Sequence, residues 1–349
     1  MYTLSYIHHN IPLDIYPIAN KVIYRKNLAF WSMCNNTLDK LVDIDNYFSP
    51  IYFANNNVYI IDEDKLKIFS IDFQNTKITS ISSQIPLRFG GIVEDKLFLV
   101  HDRSHEQFIV KIDEEGYEYW KKDVFSTTNC YVHNNAVITN CNNNLIAFSP
   151  NNGNELWNID FRKLLNVSKE DVSGLIRQLF IFGDCLFVYA AGDDFREVSA
   201  TFCIDIPTGE VFRTIDYFGG YMFPGNNKLY NNYEQTINYL DVNTFELSSI
   251  TIKSELFKKY GWDIEAGTSV VKDGLMYCSA SIGVELNSYL IVIDLSTYEV
   301  VWYTELLVNP KKKSSRRNRL GVYQIRVNDQ ILCVSCSGSY LCVFEKILS

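Results

Sequence analysis

Three features of the sequence predict an all-β fold, a β-propeller built from four-stranded blades. Short runs rich in β-branched and aromatic residues alternate apolar with polar side chains, which is the pattern of half-buried strands. Turns rich in Asn and Gly separate these runs. A unit of about 40 residues recurs along the chain, and this is the period of a four-stranded propeller blade.

The repeated units follow one another through all 349 residues, and we place them at 13–45, 51–82, 89–124, 129–161, 177–217, 220–252, 268–306 and 322–346. Their third strands recur every 35 to 42 residues where the units are compact, and every 51 to 56 where an insertion intervenes. The last unit has three strands, so we expect the N-terminal segment 2–7 to supply the fourth. Strands from both termini would then close the ring and remove its exposed edges. The sequence therefore predicts eight blades in one domain over 1–349. Seven blades is the alternative, if the divergent first unit is not a blade.

Several units share a turn followed by a tryptophan. Asp and Thr side chains bond turn amides, Gly accepts a positive φ, and an aromatic residue after the turn can dock on the next blade. The residues that form this pattern are Ala147, Gly153 and Trp157, then Val292, Asp294, Thr297 and Trp302, with Asp205, Thr208, Gly209, Asp241 and Thr244 repeating the turn. Trp120, Trp157 and Trp302 hold nearly the same place in their units, which predicts that they are docking residues of the core.

With this pattern the units resemble the PQQ-like repeat. Proteins with that repeat include quinoprotein dehydrogenases, which are exported and bind calcium beside the quinone, and the outer-membrane assembly lipoprotein of bacteria, which is an interaction scaffold without a cofactor. The resemblance implies a propeller in either case. No residues of a quinone or calcium site can be mapped onto this chain, so the scaffold is the favoured of the two.

Composition narrows the class of protein. The formal net charge of −9 argues against a general nucleic-acid surface. The N-terminal residues lack the basic and apolar segments of a signal peptide, and no apolar run reaches the length of a membrane span. Nine cysteines without a spaced framework are typical of reduced thiols packed as small hydrophobic residues. These features predict a cytoplasmic monomer that binds neither nucleic acid nor membrane.

The connections are predicted to differ between the two ends of the blades. Turns between first and second and between third and fourth strands are short, whereas the extra length falls in the other set, at 162–176, 253–267, 307–321, 101–107, 190–199 and 279–288. Loops on a rigid scaffold commonly carry function, although insertions can also drift neutrally there. Two of the insertions predict short helices, one with Ser168 as N-cap and one running from Ser254 to Gly261.

Candidate binding residues lie on these long connections. Insertion 307–321 holds a basic cluster, which is either a solvated loop or a docking patch for an acidic partner. In 253–267, Tyr260 and Trp262 are candidate aromatic anchors, with the alternative that Trp262 pins the short helix to the blade. The candidates are Tyr260, Trp262, Lys311, Lys312, Lys313, Arg316, Arg317 and Arg319, together with Asp193, Asp194 and Arg196 in 190–199.

The sequence gives little support for a metal or a catalytic centre. His101 and His105 are weak metal candidates, because their spacing suits a helix and this segment joins two strands without the HExxH order. Cys333 and Cys336 have CxxC spacing, but the odd spacing points them to opposite faces of a strand. Nucleophile-elbow, P-loop and Rossmann fingerprints are absent from the sequence. We therefore expect no cofactor, no metal and no catalytic residue.

The leading hypothesis is a non-catalytic, protein-binding propeller that acts through its loop-elaborated face. A narrower version is an immunity protein that neutralises a bacterial toxin. The alternatives are a propeller enzyme, either a quinoprotein-like oxidoreductase or a lyase or hydrolase, and a carbohydrate- or ligand-binding module.

Overall fold

A computed structural model describes residues 2–9, 15–18, 21–26, 29–34, 37–43, 51–54, 57–62, 67–72, 77–82, 88–93, 96–101, 107–113, 117–124, 127–167, 174–192, 199–283, 288–309, 315 and 318–346. The chain divides into two compact units, one formed by 1–43 with 220–349 and the other by 44–219. The described residues form eight antiparallel sheets, which we number in chain order, and sheets 2 to 5 belong to the second unit.

The unit formed by 1–43 and 220–349 contains four sheets. Sheet 1 comprises β2 (Ile15–Ile18), β3 (Lys21–Lys26), β4 (Ala29–Cys34) and β5 (Thr37–Asp43). Sheet 6 comprises β22 (Phe223–Gly225), β23 (Lys228–Tyr233), β24 (Thr236–Asp241) and β25 (Leu247–Thr251). Sheet 7 comprises β26 (Trp262–Ile264), β27 (Val270–Lys272), β28 (Leu275–Ile282), β29 (Tyr289–Asp294) and β30 (Glu299–Glu305). Sheet 8 comprises β1 (Tyr2–His9), β31 (Val322–Val327), β32 (Ile331–Cys336) and β33 (Tyr340–Lys346).

The unit formed by 44–219 also contains four sheets. Sheet 2 comprises β6 (Ile51–Ala54), β7 (Asn57–Asp62), β8 (Lys67–Asp72) and β9 (Lys77–Ser82). Sheet 3 comprises β10 (Arg88–Val93), β11 (Lys96–His101), β12 (Phe108–Ile112) and β13 (Glu118–Asp123). Sheet 4 comprises β14 (Thr127–His133), β15 (Ala136–Cys141), β16 (Asn144–Phe148) and β17 (Glu155–Asp160). Sheet 5 comprises β18 (Ile176–Phe182), β19 (Cys185–Ala191), β20 (Ser199–Asp205) and β21 (Val211–Asp216).

The N-terminal strand completes the last sheet. β1 pairs with β33 in antiparallel register, from Tyr2 opposite Lys346 to His9 opposite Tyr340. The Tyr2 side chain is buried, and its hydroxyl lies 2.9 Å from the hydroxyl of Tyr277 in sheet 7. The strand pairing is therefore the one that the sequence predicts. The number of blades in a closed ring and the single-domain organisation stay predictions.

Sheet 7 differs from the others because its first strand is split. β27 pairs with the start of β28, whereas β26 pairs with its end, where Trp262 lies opposite Ile282 and Ile264 opposite Ala280. β26 lies within the segment 253–267, which the sequence predicts to be an insertion. That prediction is wrong for 262–264, because these residues form ladder hydrogen bonds that extend the sheet instead of looping out from it.

The core lies between neighbouring sheets and is formed by their inner strands. In β19, β28 and β32 nearly every side chain is buried, whereas the fourth strands alternate exposed and half-buried residues. Continuous apolar clusters join sheet 3 to 4 and sheet 4 to 5 in one unit. Others join sheet 6 to 7, sheet 7 to 8 and sheet 8 to 1 in the other unit. The near-continuous apolar second strands in the sequence are thus explained by burial on both faces.

The repeated turn and its tryptophan act together in sheets 3 to 5. Trp157 on β17 is buried and donates its indole N–H to the Ile206 carbonyl of the next sheet at 2.7 Å. Its ring lies against Gly209, where φ is +75° and an added Cβ would come within 2.4 Å of the ring. Trp120 repeats this contact one sheet earlier, with the carbonyl of Pro150 at 3.1 Å and with Gly153. The docking role predicted from the sequence is confirmed for Trp120 and Trp157, and Trp302 meets Phe344 of sheet 8 edge-on with ring centroids 5.6 Å apart.

The two helices are short and lie on the long connections. α1 (Phe161–Leu164) begins after Asp160, whose carboxylate accepts the Arg162 N–H at 3.0 Å. This helix precedes the predicted one, and its predicted N-cap Ser168 lies outside the described residues. α2 (Glu255–Tyr260) follows Ser254 and ends at Gly261 in the left-handed region, as predicted.

Candidate functional site

Each sheet has a short-turn end and a loop end. Because the strands are antiparallel, the turns joining the first to second and third to fourth strands lie at one end of the sheet, and the other connections lie at the opposite end. At the short-turn ends, the turns 134–135, 183–184, 226–227 and 273–274 have two residues each. At the loop ends, 161–175, 252–261 and 306–321 separate consecutive strands. The longest connections therefore lie at the loop ends, as predicted, whereas 142–143 and 234–235 at the same ends have only two residues each.

The connection 306–321, which we call the basic loop, has an ordered neck. Leu306 and Leu320 share a backbone hydrogen bond of 2.9 Å, and Leu307 bridges Arg319 as in an antiparallel ladder. One step outward, the side chain of Asn318 accepts the Asn309 N–H at 2.9 Å and donates to the Asn309 carbonyl at 3.1 Å. These contacts hold the base of the loop as an extension of sheet 7.

Arg319 belongs to the neck of the basic loop. Its guanidinium Nε donates to the Glu305 carboxylate at 2.8 Å, and both side chains are about one-fifth exposed. Arg319 is therefore paired at the base of the loop. The other predicted basic residues, Lys311, Lys312, Lys313, Arg316 and Arg317, lie outside the described residues.

Trp262 is fully buried, which excludes the exposed anchor that the sequence left as one of two alternatives. Its indole stacks on Tyr260 with ring centroids 4.7 Å apart and meets Phe257 of α2 edge-on at 5.6 Å. The ring of Tyr303 on β30 closes the cluster at 5.1 Å. The buried tryptophan thus pins α2 to sheet 7, and a partner has no access to it.

Tyr260 lies at the outer edge of this aromatic cluster. Its hydroxyl lies 3.1 Å from that of Tyr303. The hydrogen bonds with Tyr303 and Lys259 hold the pKa of Tyr260 below its usual range, and the same contact with Tyr260 raises the pKa of Tyr303. Tyr260 is half-buried and keeps a hydroxyl at the surface, so a binding role for it stays a prediction.

Two exposed tyrosines at the loop end of sheets 6 and 7 were missed by the sequence reasoning. Tyr221 is 67% exposed and Tyr233 is 68% exposed. Tyr221 packs beside Gly267, and the residue after Tyr233, Glu234, bridges Ile264. The Tyr221 ring therefore lies beside the segment that follows β26, and Tyr233 lies next to the residue that bridges β26. An aromatic residue next to a polar turn, as in NNYEQ, was the available signal.

The remaining predicted positions fall outside the described part of the chain. Asp193, Asp194, Arg196 and His105 are among them, and His101 is described only as part of β11. Among the residues that the structure describes, no group of three or more His, Cys, Asp or Glu side chains is arranged to hold a metal ion. Within the same residues, no helix has the length and apolar character needed to cross a membrane.

The described cysteines are free thiols in the sheets. Burial raises the pKa of Cys203 to about 12, and burial also raises the pKa of Cys278 and Cys333. A raised pKa keeps a thiol protonated and unreactive at neutral pH. These side chains therefore pack as small apolar groups, as the sequence predicts.

Solved structures that resemble this chain are β-propellers with very different sequences. No protein-family model matches the chain, and no curated protein matches it either. BamB from Moraxella catarrhalis is 10% identical with a TM-score of 0.56, and the alignment covers 99% of this chain and 100% of BamB. The C-terminal WD40 domain of Sif2 is 10% identical with a TM-score of 0.62, covering 99% and 98%. Sqt1 from Saccharomyces cerevisiae is 8% identical with a TM-score of 0.59, covering 99% and 97%.

These similarities, together with the four-stranded antiparallel sheets, confirm the predicted fold class, which is an all-β propeller. They are also consistent with the resemblance to the PQQ-like repeat. At this level of identity they define the architecture alone.

Proposed function

We propose that this protein is a non-catalytic binding scaffold that holds a protein partner at its loop ends, with the basic loop as the main contact. The observation that carries the proposal is the construction of that loop. A neck of backbone and side-chain hydrogen bonds fixes both strands of its base, and the intervening segment contains five basic residues between 311 and 317. An ordered base lowers the entropy that binding must cost, because the loop is already anchored where it leaves the sheet.

The charge distribution favours an acidic partner surface. The chain carries a net charge of −9, so the five basic residues between 311 and 317 form a local positive patch on an otherwise acidic protein. Such a local patch attracts a complementary acidic surface over a distance of about one Debye length, roughly 8–10 Å at physiological ionic strength. The loop would therefore speed association and orient the partner.

Exposed tyrosines supply the apolar part of the contact. Tyr221 and Tyr233 lie at the loop end of sheets 6 and 7, and sheet 7 also carries the neck of the basic loop. Tyrosine is enriched among residues that dominate binding energy, since a large rigid ring becomes buried at little entropic cost. They take the anchoring role that was one of the two alternatives for Trp262 in the sequence. BamB and the WD40 domain of Sif2 share the fold, and the scaffold class proposed here fits that architecture.

The test compares the effect of added negative charge at the two ends of the sheets. A partner recovered from the native host would be measured by surface plasmon resonance against the wild type and the Lys312→Glu/Arg316→Glu/Arg317→Glu variant. The matched control adds negative charge to the turn at the other end, with Asn151→Glu and Asn152→Glu. We expect the loop variant to lower the association rate at least tenfold, and the wild-type rate to fall as salt rises.

Truncation of the tyrosines addresses the other half of the contact. Tyr221→Ala and Tyr233→Ala should raise the dissociation rate, with each ring contributing about 1–3 kcal/mol if it is an anchor. If the control turn variant loses the partner while the loop variant retains it, the working end is wrongly assigned. If neither variant loses the partner, the contact lies elsewhere on the sheets.

The narrower version of the proposal is an immunity protein of a bacterial cytoplasm, acting as a monomer. Its test is co-expression with the product of the neighbouring gene. Growth arrest by that product alone, relieved by this chain but less by the loop variant, is the expected outcome. A neighbouring product that is harmless and does not bind would contradict the immunity role without affecting the scaffold class.

A further inference from the structure

A pocket lies between the short-turn ends of sheets 6 and 7, away from the loop ends. Its volume is about 490 Å³, which is within the range of small-molecule sites. It is lined by Asn226, Lys228, Tyr230, Tyr239, Asp273, Gly274, Leu275, Asp294, Leu295, Ser296 and Tyr298. Asn226, Asp273 and Ser296 are exposed and form the mouth, while Tyr230 is 3% exposed and forms the interior.

The pocket exists because the docking tryptophan of the repeat is replaced here. Trp157 faces sheet 5 from the position opposite Ala147, and the corresponding position of sheet 6, opposite Tyr239, is Ser248. The turn residue that receives the indole is also changed. It is Gly209 in sheet 5 but Tyr298 in sheet 7, with φ at +59° and the same backbone hydrogen bond across the turn. The crevice that an indole closes elsewhere is thus lined by phenol side chains.

Aromatic faces form the walls of the pocket. Tyr230 stacks on Phe223 with centroids 5.8 Å apart, which fixes its orientation, and Tyr239 lies 5.9 Å from Tyr230. Burial raises the pKa of Tyr230 to about 12, so this phenol remains a neutral hydrogen-bond donor. Together with Tyr298, these tyrosines offer both flat apolar surface and hydroxyl groups.

Hydrogen-bond donors and acceptors are both present around the rings. The ammonium of Lys228 lies 4.0 Å from the centre of the Tyr239 ring, and Asp294 accepts the hydroxyl and the backbone N–H of Ser296. With Asp273 at the mouth, the formal charges of the lining sum to −1. A hydroxyl group can donate and accept at once, so several hydroxyl groups on one ligand would pair with this mixed set.

We propose that the pocket binds a sugar, as a single neutral pyranose unit that lies against the tyrosine rings and bonds the polar groups through its hydroxyls. A pyranose presents C–H groups on one face, which pack on an aromatic ring, and hydroxyls at its edge. A cationic ligand would be repelled by Lys228, and an anionic ligand would be repelled by Asp273 and Asp294. An apolar ligand would leave the polar lining without hydrogen bonds, which costs binding energy.

The test is saturation-transfer NMR on the full chain. The probes are the methyl pyranosides of glucose, galactose, mannose and N-acetylglucosamine, with indole and arginine amide as probes of other classes. We expect saturation transfer to the ring C–H protons of at least one sugar. The Tyr298→Gly variant, which restores the glycine of the repeat, should weaken that sugar about threefold to tenfold.

A matched control separates loss of the pocket wall from a change in the turn. Phe245→Gly makes the same kind of change at the equivalent turn of sheet 6, where φ is +58°, and Phe245 does not line the pocket. It should bind the sugar as the wild type does. Equal binding by Tyr298→Gly and the wild type, no transfer to any of the four sugars, or tighter binding of indole or arginine amide would each overturn the proposal. Because the pocket is distinct from the basic loop, none of these outcomes bears on the proposed protein-binding role.

Discussion

Removing the contact between Trp157 and Gly209 tests how neighbouring sheets are held together. Trp157 is 8% exposed, and its indole N–H bonds the Ile206 carbonyl at 2.7 Å. Truncation of a buried tryptophan to alanine costs about 3–5 kcal/mol of the free energy of unfolding, from lost burial and the cavity left behind. The neighbouring Leu156→Ala is the surface control, since that side chain is 43% exposed and should change stability by less than about 0.5 kcal/mol.

The amount by which Gly209→Ala lowers the free energy of unfolding depends on Trp157. The backbone at φ +75° costs an alanine about 1–2 kcal/mol, and the clash of its Cβ with the ring at 2.4 Å adds an overpacking cost of about 1–3 kcal/mol. In the Trp157→Ala background the ring is gone, so the cost should fall to the backbone cost plus that of the remaining contact with the Cβ of residue 157 at 2.7 Å. Gly183→Ala measures that cost alone, because its φ is +56° and nothing lies within 4 Å of the added Cβ.

Urea denaturation followed by circular dichroism would give the four free energies of the double-mutant cycle. We expect a coupling of about 1–3 kcal/mol between the two positions. If Gly209→Ala costs the same with and without the tryptophan, or no more than Gly183→Ala, the docking contact does not act as described.

Three further predictions concern the terminal strand, the aromatic cluster and the thiols. Tyr2→Phe should lower the free energy of unfolding by about 1–3 kcal/mol, because the buried Tyr277 hydroxyl loses its partner; an unchanged urea midpoint would contradict the bond. Trp262→Ala should cost about 3–5 kcal/mol in stability through loss of the cluster that holds α2, and a fully stable variant would refute that packing role. The free energy of unfolding should fall as pH rises from about 8 to 10, since unfolded thiols titrate near about 8.5 while Cys203 and Cys278 stay protonated in the fold. Replacing both by Ala should reduce that slope, measured by urea denaturation at each pH.

The strands and their order could be predicted because burial produces a regular pattern of apolar residues in the sequence. The alternation of the fourth strands and the apolar second strands follow directly from which side faces the core. The pairing of β1 with β33 was predictable because one unit lacked a strand and one segment had no unit. The docking tryptophans could be predicted from their repeated place after the turn.

Whether an individual aromatic side chain is buried or exposed could not be predicted in the same way. Trp262 and Tyr221 both follow a glycine, yet one is fully buried and the other is 67% exposed. The difference arises because residues 262–264 join the edge of β28, a long-range pairing that leaves no local signal in a three-residue strand. Arg319 was grouped with the basic cluster for a similar reason, since its partner Glu305 lies fourteen residues earlier across the loop.

The pairing of β1 with β33 also constrains the order in which the protein can fold. Residues 2–9 are synthesised more than 300 residues before their partner strand, Tyr340–Lys346. Until then β1 has an unpaired edge, and the entropic cost of closing so long a loop is met only when the final sheet forms. We therefore expect the formation of sheet 8 to be the slowest step of folding. A chain interrupted before residue 340 would leave β1 without the partner strand that it has in the fold.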